Sequence, residues 1–453
     1  MKQNKMRILT VVVCLTLSLS LFGPVIAAPK SSNTFVVAPS GDTTGITDTA
    51  NIQQAIDDVV TAGKGTVFLE EGDFYLCETL VGVNFDGTFR GAGAGETVLH
   101  SIEDFPALDP ANQGSANPRL IMFYQDEYST STEEDPYKIE LCDFTVNIDK
   151  PPEAWYFDLF RAINTIDILG IAGDGYDDDV ISYFDVTCKG LEFLGDVGEE
   201  YGLFGNSIQN AIMIQGEWEF LGWEYGLPNE KISGNFVIER CHFENSLGSG
   251  AVVGQSVDSH IQIVRNKYVN TMVGPEVWDL SNSHVEIAFN DVMCNGWYGV
   301  YVANGLYASS LEPSRVSIHH NYIECAPGVT GIWIDDYLAA AGDVEGVSVF
   351  AHHNEIVMDD PNCMGVFGFG ADDVWLMRNT ISGTGMAGIV TGVGDMFYGV
   401  QDDVSGWKMV LNDLSDLTAD VAAIWLGPGT HDCWLLHRGP SSSVLDEGTD
   451  NRL

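Results

Sequence analysis

The chain has 453 residues, with 65 Asp and Glu against 20 Lys and Arg, for a formal net charge of −45. So acidic a chain excludes nucleic-acid binding by its net field. It also repels polyanions at long range unless Ca2+ bridges them, and it suits a salty medium in which the repulsion is screened.

In chain order, Lys2, Lys5 and Arg7 precede the apolar run from Ile8 to Phe22, and Val25-Ile26-Ala27 offers a cleavage site. This pattern predicts a secretory signal over residues 1–27 and a single exported domain over 28–453, secreted or at the cell surface. The run is short for a membrane span and is followed by Gly23-Pro24, and no other segment is long and apolar enough to cross. No membrane association is expected once the signal is gone. Eight Cys remain beyond Cys14, an even count that permits disulfides in an exported protein.

A helix is predicted over about 47–62. Thr47 or Asp48 can cap it, Gly63 can stop it, and Ile52, Ala55, Ile56, Val59 and Val60 share one face. Two insertions follow, over about 149–180 and 196–231. The first holds Trp155-Tyr156-Phe157 and an acidic run in which Asp174, Asp177 and Asp179 could ligate Ca2+ through oxygen. Their spacing is not that of an EF-hand, and a solvated acidic loop is the other reading. The second holds Glu217-Trp218-Glu219 and Trp223-Glu224-Tyr225. Each insertion also contains a strand-like piece, Ile166-Asp167-Ile168 and Ala211 to Ile214, that could hide a weak coil.

From residue 239 onward one pattern repeats: alternating apolar residues, a spacer pair, then Asn. The Asn positions are 266, 290, 321, 354, 379 and 412, with Cys241 in the first place. An apolar residue follows two positions later: Phe243, Tyr268, Val292, Ile323, Ile356, Ile381 and Leu414. The intervals of 25, 24, 31, 33, 25 and 33 fit a solenoid whose coils share a constant part and a variable loop. A second constant part reads Gly299-Val-Tyr-Val302, Gly331-Ile-Trp-Ile334, Gly365-Val-Phe-Gly368 and Gly388-Ile-Val-Thr391, with Ala251-Val-Val-Gly254 and Glu276-Val-Trp-Asp279 fitting loosely. Period-two alternation predicts short strands.

These residues resemble the right-handed parallel β-helix of the pectate-lyase-like superfamily, in which inward Asn side chains stack at one turn. Residues Gly41 to Leu80 with Phe89 to Gly93 resemble the opening of secreted pectate-lyase-like and tailspike-like chains. The resemblance implies an all-β solenoid with an N-terminal capping helix. An Asn amide can satisfy turn groups and the Asn of the next coil. Cys294 and Cys325 each lie four residues after a stacked Asn. They are expected as neighbours, either in a disulfide or as a buried thiol stack.

The resemblance implies that the Gly-led strand forms the sheet lining the substrate groove. Its third position should face outward, giving a column Val253, Trp278, Tyr301, Trp333, Phe367, Val390 and Trp425. Trp278, Tyr301, Asn304, Trp333 and Phe367 are the candidate sugar contacts, since flat rings and amides suit hydroxylated rings. Loops folding over the column to bury it is the competing reading. Asp335 and Asp336 are the candidate catalytic pair for a glycoside hydrolase. The Gly-His-Gly and Arg-x-Lys motifs of β-helix polygalacturonases are missing, and no Lys or Arg occupies the outward positions where a polysaccharide lyase would need a proton abstractor. The stacked pairs His319-His320 and His352-His353 could bind a transition metal or simply stack. Two functions follow: binding, with or without cleavage, of a polysaccharide, or a non-catalytic surface scaffold or adhesion protein.

Overall fold

The computed structural model describes residues 33–106, 118–126, 128–150, 161–170, 181–201, 205–216, 231–304, 312–336, 346–394, 403–438 and 443–453. The expected signal segment lies outside these residues.

The fold grows from one corner repeated in every coil. The residue before each ladder Asn has left-handed backbone: Arg265, Phe289, His320, His353, Arg378 and Leu411 all have φ of 54–58°. Each such non-Gly residue costs about 1 kcal/mol or more. The inward Asn offsets that cost. Asn354 Oδ1 accepts from the backbone N–H (3.1 Å) and the Nδ2 (3.0 Å) of Asn321, and its Nδ2 donates to Ile318 O (2.8 Å) and Asn379 Oδ1 (2.9 Å). Asn290, Asn321 and Asn379 repeat the arrangement, and all six Asn are buried. Upstream the corner persists without Asn. Asp143 and Gly190 keep φ near 60° and are followed by buried Phe144 and Leu191. The faint upstream copies are therefore genuine coils.

Three faces follow from the corner. Face 1 comprises the strands before it, such as His284–Ala288, Ser314–His319 and Val347–His352. Face 2 is the short stretch directly after it, as in Tyr322–Cys325 and Glu355–Asp359. Face 3 is the Gly-led strand, as in Thr330–Asp336 and Met364–Phe369. Each strand pairs in parallel with its counterpart one coil away, and 32 strands join into one continuous sheet. The chain folds as an all-β, right-handed parallel β-helix. Face 3 also takes in Asn164–Gly170 and Ile212–Gly216, which pair with each other, Asn164–Gly170 pairing on its other side with Arg119–Gln125. The strand-like pieces of both insertions are thus full rungs.

The interior is a stack of like on like. Phe193, Phe243 and Tyr268 lie ring over ring at 5.3 and 4.8 Å. Cys294 and Cys325 are register partners, as expected, and both are free buried thiols. Cys294 Sγ lies 2.9 Å from Met272 O and 3.0 Å from Tyr298 O, within reach for thiol donation, and the two thiols stack unbridged.

The helix α1 (Ile46–Ala62) closes the first coils, burying Ile52, Ala55, Ile56 and Val59. Gly63, at φ 74°, ends it as expected. Neither Thr47 nor Asp48 caps the start. The Asp42 carboxylate accepts the Thr47 N–H (3.2 Å), while Asp48 is buried and ties Ser40 N (2.8 Å) to Tyr75 N (3.0 Å).

Asn354→Ala removes four ladder bonds and strands buried partners, a loss of about 3 kcal/mol or more. The exposed Arg378→Ala in the same corner should stay within about 0.5 kcal/mol of the parent. Denaturant midpoints of the two variants measure the contrast. Equal midpoints would mean the ladder does not hold the corner.

Candidate functional site

The outward residues of face 3 are fixed by strand register. One row runs Asp167, Met213, Val252, Glu276, Tyr301, Trp333, Phe367, Val390, Trp425. A second row, two residues along, holds Gln215, Gly254, Trp278, Ala303, Asp335 and Phe369. This differs from the sequence alignment at two coils. Val253 points inward and Val252 outward. Trp278 stands in the Asp335 row, and the Tyr301 row receives Glu276 instead. The reason is Gly274. A Cβ there would strike the carbonyl of Gly299, just as one at Gly331 would strike Gly365 O, so Gly274 sets the phase of its coil. Its strand, Lys267–Ser281, passes through two register shifts before that glycine, which hides the phase from residue counting.

Glu276 is the functional candidate that alignment passed over. It is half-buried between Val252 and Tyr301. Burial pushes its carboxyl up to about 7, and only the short hydrogen bond from Ser249 Oγ pulls the other way. A carboxyl poised near neutrality is suited to hold or donate a proton.

Beside it lies an aromatic cluster. Tyr298 sits 4.7 Å from Tyr301 and 4.6 Å from Trp333 between ring centroids, and Trp333 sits 4.2 Å from Phe367. Tyr298 and Tyr301 are half-buried, and Trp297 is exposed at the rim. Asp335 organises the cluster: its Oδ1 accepts the Trp333 indole N–H (2.5 Å) and its Oδ2 accepts the Tyr301 hydroxyl (3.1 Å).

The other predicted site residues divide. Trp278, Trp333 and Phe367 are buried, so the column is covered rather than an open groove. Asn304 is buried too, and its Oδ1 accepts Leu280 N (3.2 Å), a structural bond between coils. Asp335 and Asp336 are adjacent but serve different partners. Asp336 Oδ2 accepts Val347 N (3.0 Å), the start of the next face 1 strand. The pair therefore does not converge on one point. Asp174, Asp177 and Asp179 lie outside the described residues. Among the described residues no three metal-ligating side chains converge.

Further along the same face Asp167 is fully buried 2.5 Å from Arg119 Nε, where desolvation raises its carboxyl to about 6 against the pull of the guanidinium. Three buried oxygens on this face have no hydrogen-bond donor among the described residues: Asp167 Oδ1, Gln215 Oε1 and Gln255 Oε1. Gln255 lies one coil from Glu276, Gln215 two.

An open concavity lies on face 1, a groove of about 480 Å³ lined by His260, His284, Arg315, Phe350, Asp373 and Trp375, among others. Trp375 is 38 % exposed, its indole N–H reaches Asp373 Oδ1 (3.3 Å), and Lys408 Nζ lies 4.2 Å from its ring centre.

No family model and no curated protein sequence matches the chain. Among solved structures it is similar to the A-module of mannuronan C-5 epimerase AlgE4 from Azotobacter vinelandii, at 19 % identity and TM-score 0.43 over 84 % of this chain and 94 % of that one. It is similar to the Streptococcus pneumoniae surface protein and adhesin PfbA, at 13 % and 0.43 over 87 % and 99 %. It is also similar to the tailspike of Escherichia coli bacteriophage HK620, solved with a hexasaccharide, at 13 % and 0.45 over 93 % and 80 %. Likeness at this level bears on neither activity nor ligand.

A carboxyl raised from 4.5 to about 7 binds more protons in the folded state than in the unfolded. Its stabilising contribution is present below about 4.5 and is lost as pH rises through about 7. Glu276→Gln should therefore melt progressively higher, relative to the parent, as pH goes from 4.5 to 7. Asp167 titrates in both proteins and cancels. Parallel melting curves across this range would show that Glu276 is not buried as an acid.

Proposed function

We propose that the protein binds a polysaccharide along face 3, with the sugar rings meeting Trp297, Tyr298 and Tyr301 and the hydroxyls meeting Glu276. The observation that carries this reading is the cluster of packed rings, exposed at Trp297 and half-buried at Tyr298 and Tyr301, beside the half-buried Glu276 carboxyl. The rings supply the flat apolar partners that sugar faces need. Trp333 and Phe367 back those rings from below, and Asp335 holds Tyr301 and Trp333 in place.

Chemistry beyond binding rests on Glu276. A glycosidase needs a second carboxylate within about 5–9.5 Å of its acid. Asp335 stands two coils and two residues from Glu276, about 12 Å by ordinary strand spacings. The Asp335-Asp336 pair expected from sequence is also divided between two partners. Binding is therefore favoured over cleavage, and the apolar-to-acidic character of this surface favours a neutral polysaccharide over a polyanion. Export through residues 1–27 belongs to the same proposal, since it would bring the chain to extracellular glycans.

Glycan-array and calorimetric binding of the whole protein tests the reading. Tyr301→Ala should weaken the best ligand at least about 10-fold, with Trp375→Ala on face 1 leaving it unchanged. The reverse pattern would move the binding surface to the face 1 groove. No binding by any glycan would leave the scaffold function. If products appear, Glu276→Gln should cut turnover by about 100-fold or more.

A further inference from the structure

The two His pairs at the corner are not used by the glycan site, and their geometry is specific. His319 ends a face 1 strand and His320 occupies the left-handed corner at φ 56°. His352 and His353, at φ 54°, repeat this one coil on. Consecutive strand residues normally point to opposite sides. The corner overrides this and turns both rings of each pair outward, with the two rings nearly perpendicular (90° and 85°). The Nδ1 atoms then face each other, at 3.0 Å in the first pair and 2.9 Å in the second. Between pairs the rings stack, His319 on His352 at 4.9 Å and His320 on His353 at 5.2 Å.

We infer that each pair is a bidentate site for a divalent transition metal of Cu2+ type, gripped by the two Nδ1 atoms. The spacing admits such an ion. Imidazole nitrogen binds such ions at about 2.0–2.1 Å. Two nitrogens on neighbouring corners of a square plane are then about 2.9 Å apart, and on a tetrahedron about 3.3–3.4 Å. The observed 3.0 and 2.9 Å are those of an Nδ1–H···Nδ1 hydrogen bond, and they already equal the separation a right-angle bite requires. Tetragonal nitrogen sites select Cu2+ and Ni2+, and Cu2+ tops the affinity order for nitrogen ligands.

The surroundings agree. Glu286 Oε1 lies 3.2 Å from His319 Nε2, the position of a carboxylate that holds a proton on the far nitrogen and leaves Nδ1 with its lone pair outward. Phe289 stacks on His320 at 5.1 Å and fixes that ring. In the metal-free pair one Nδ1–H donates to the other Nδ1. On binding that proton moves to Nε2 of the same ring, so two nitrogen–metal bonds replace one hydrogen bond without net proton release. His320 and His353 are exposed, so the remaining metal positions are open to water or an outside ligand.

The test uses the whole untagged protein after chelator treatment, titrated with Cu2+ against a glycine competitor and followed by calorimetry and electron paramagnetic resonance. The expected result is an axial Cu2+ signal with nitrogen hyperfine splitting, and tighter binding of Cu2+ than of Zn2+. The double variant His320→Ala/His353→Ala should lose at least about 10-fold in affinity and the nitrogen signature, with melting and circular dichroism unchanged. Glu286→Gln should weaken binding less and keep the signature. The inference is overturned if the double variant binds as the parent does, if the signal shows oxygen ligands alone, or if Zn2+ binds as tightly as Cu2+.

Discussion

The structure depends on one local bargain, struck at every coil: a non-glycine residue enters the left-handed region, and the Asn that follows it satisfies the turn. Neither half is stable alone. The left-handed residue is strained, and an inward amide without partners is costly in an apolar interior. Together they fix the direction of the chain, and because each Asn oxygen serves the backbone N–H of its neighbour, they also fix the rise between coils. The ladder ends in kind as well. Cys241 takes the first Asn place, its N–H donates to Asn266 Oδ1 (2.9 Å), and its thiol lies 3.4 Å from the carbonyl of Glu239.

A second corner, between face 3 and face 1, works on the same terms with smaller side chains. Asp258 and Asn282 are left-handed, with φ of 50° and 46°. The Ser259 and Ser283 N–H groups donate to the hydroxyls of Ser283 (3.2 Å) and Ser314 (3.0 Å) in successive coils. The Asn ladder is legible in the sequence and this one is not. Asn has few other reasons to recur inside an apolar pattern, whereas Ser is common in any loop. The hydroxyl ladder therefore carries its information in register rather than in residue type.

The same difference explains what sequence revealed of the site. Tyr301, Trp333 and Phe367 were placed in one outward row because their strands share the Gly-led pattern and lie in adjacent coils. Glu276 was not, because the distance from corner to Gly-led strand varies: eight residues separate Asn266 from Gly274, eleven separate Asn354 from Gly365. Counting from the Asn thus loses phase. The dependable marker is the glycine, since at Gly274, Gly299, Gly331, Gly365 and Gly388 alike the carbonyl of the next coil forbids a Cβ. Burial of the column depends on residues that precede the Gly-led motif in the same strands, where the sequence follows no common pattern. Ala387, Ala422 and Met386 pack onto Trp333, Phe367 and Trp425 and join them in a second apolar cluster outside the solenoid interior.

The division of labour within each coil has a consequence for function. Inward positions are committed: Asn, the β-branched residues beside it and the close-approach glycines admit few alternatives. The left-handed corner residue is held by its backbone and its inward neighbour, so its own side chain is free. Down the stack it is Arg240, Arg265, Phe289, His320, His353, Arg378 and Leu411, a set with no common chemistry. Two coils in that series carry His at both the corner and the residue before it, and there the fixed corner converts a sequence neighbour into a facing nitrogen at 3 Å. Face 3 shows the same freedom, with Asp167, Glu276, Tyr301 and Trp333 occupying equivalent outward positions in different coils. A solenoid of this kind can change its ligands one coil at a time, because the interactions that hold a coil and those that could serve a ligand are made by different side chains.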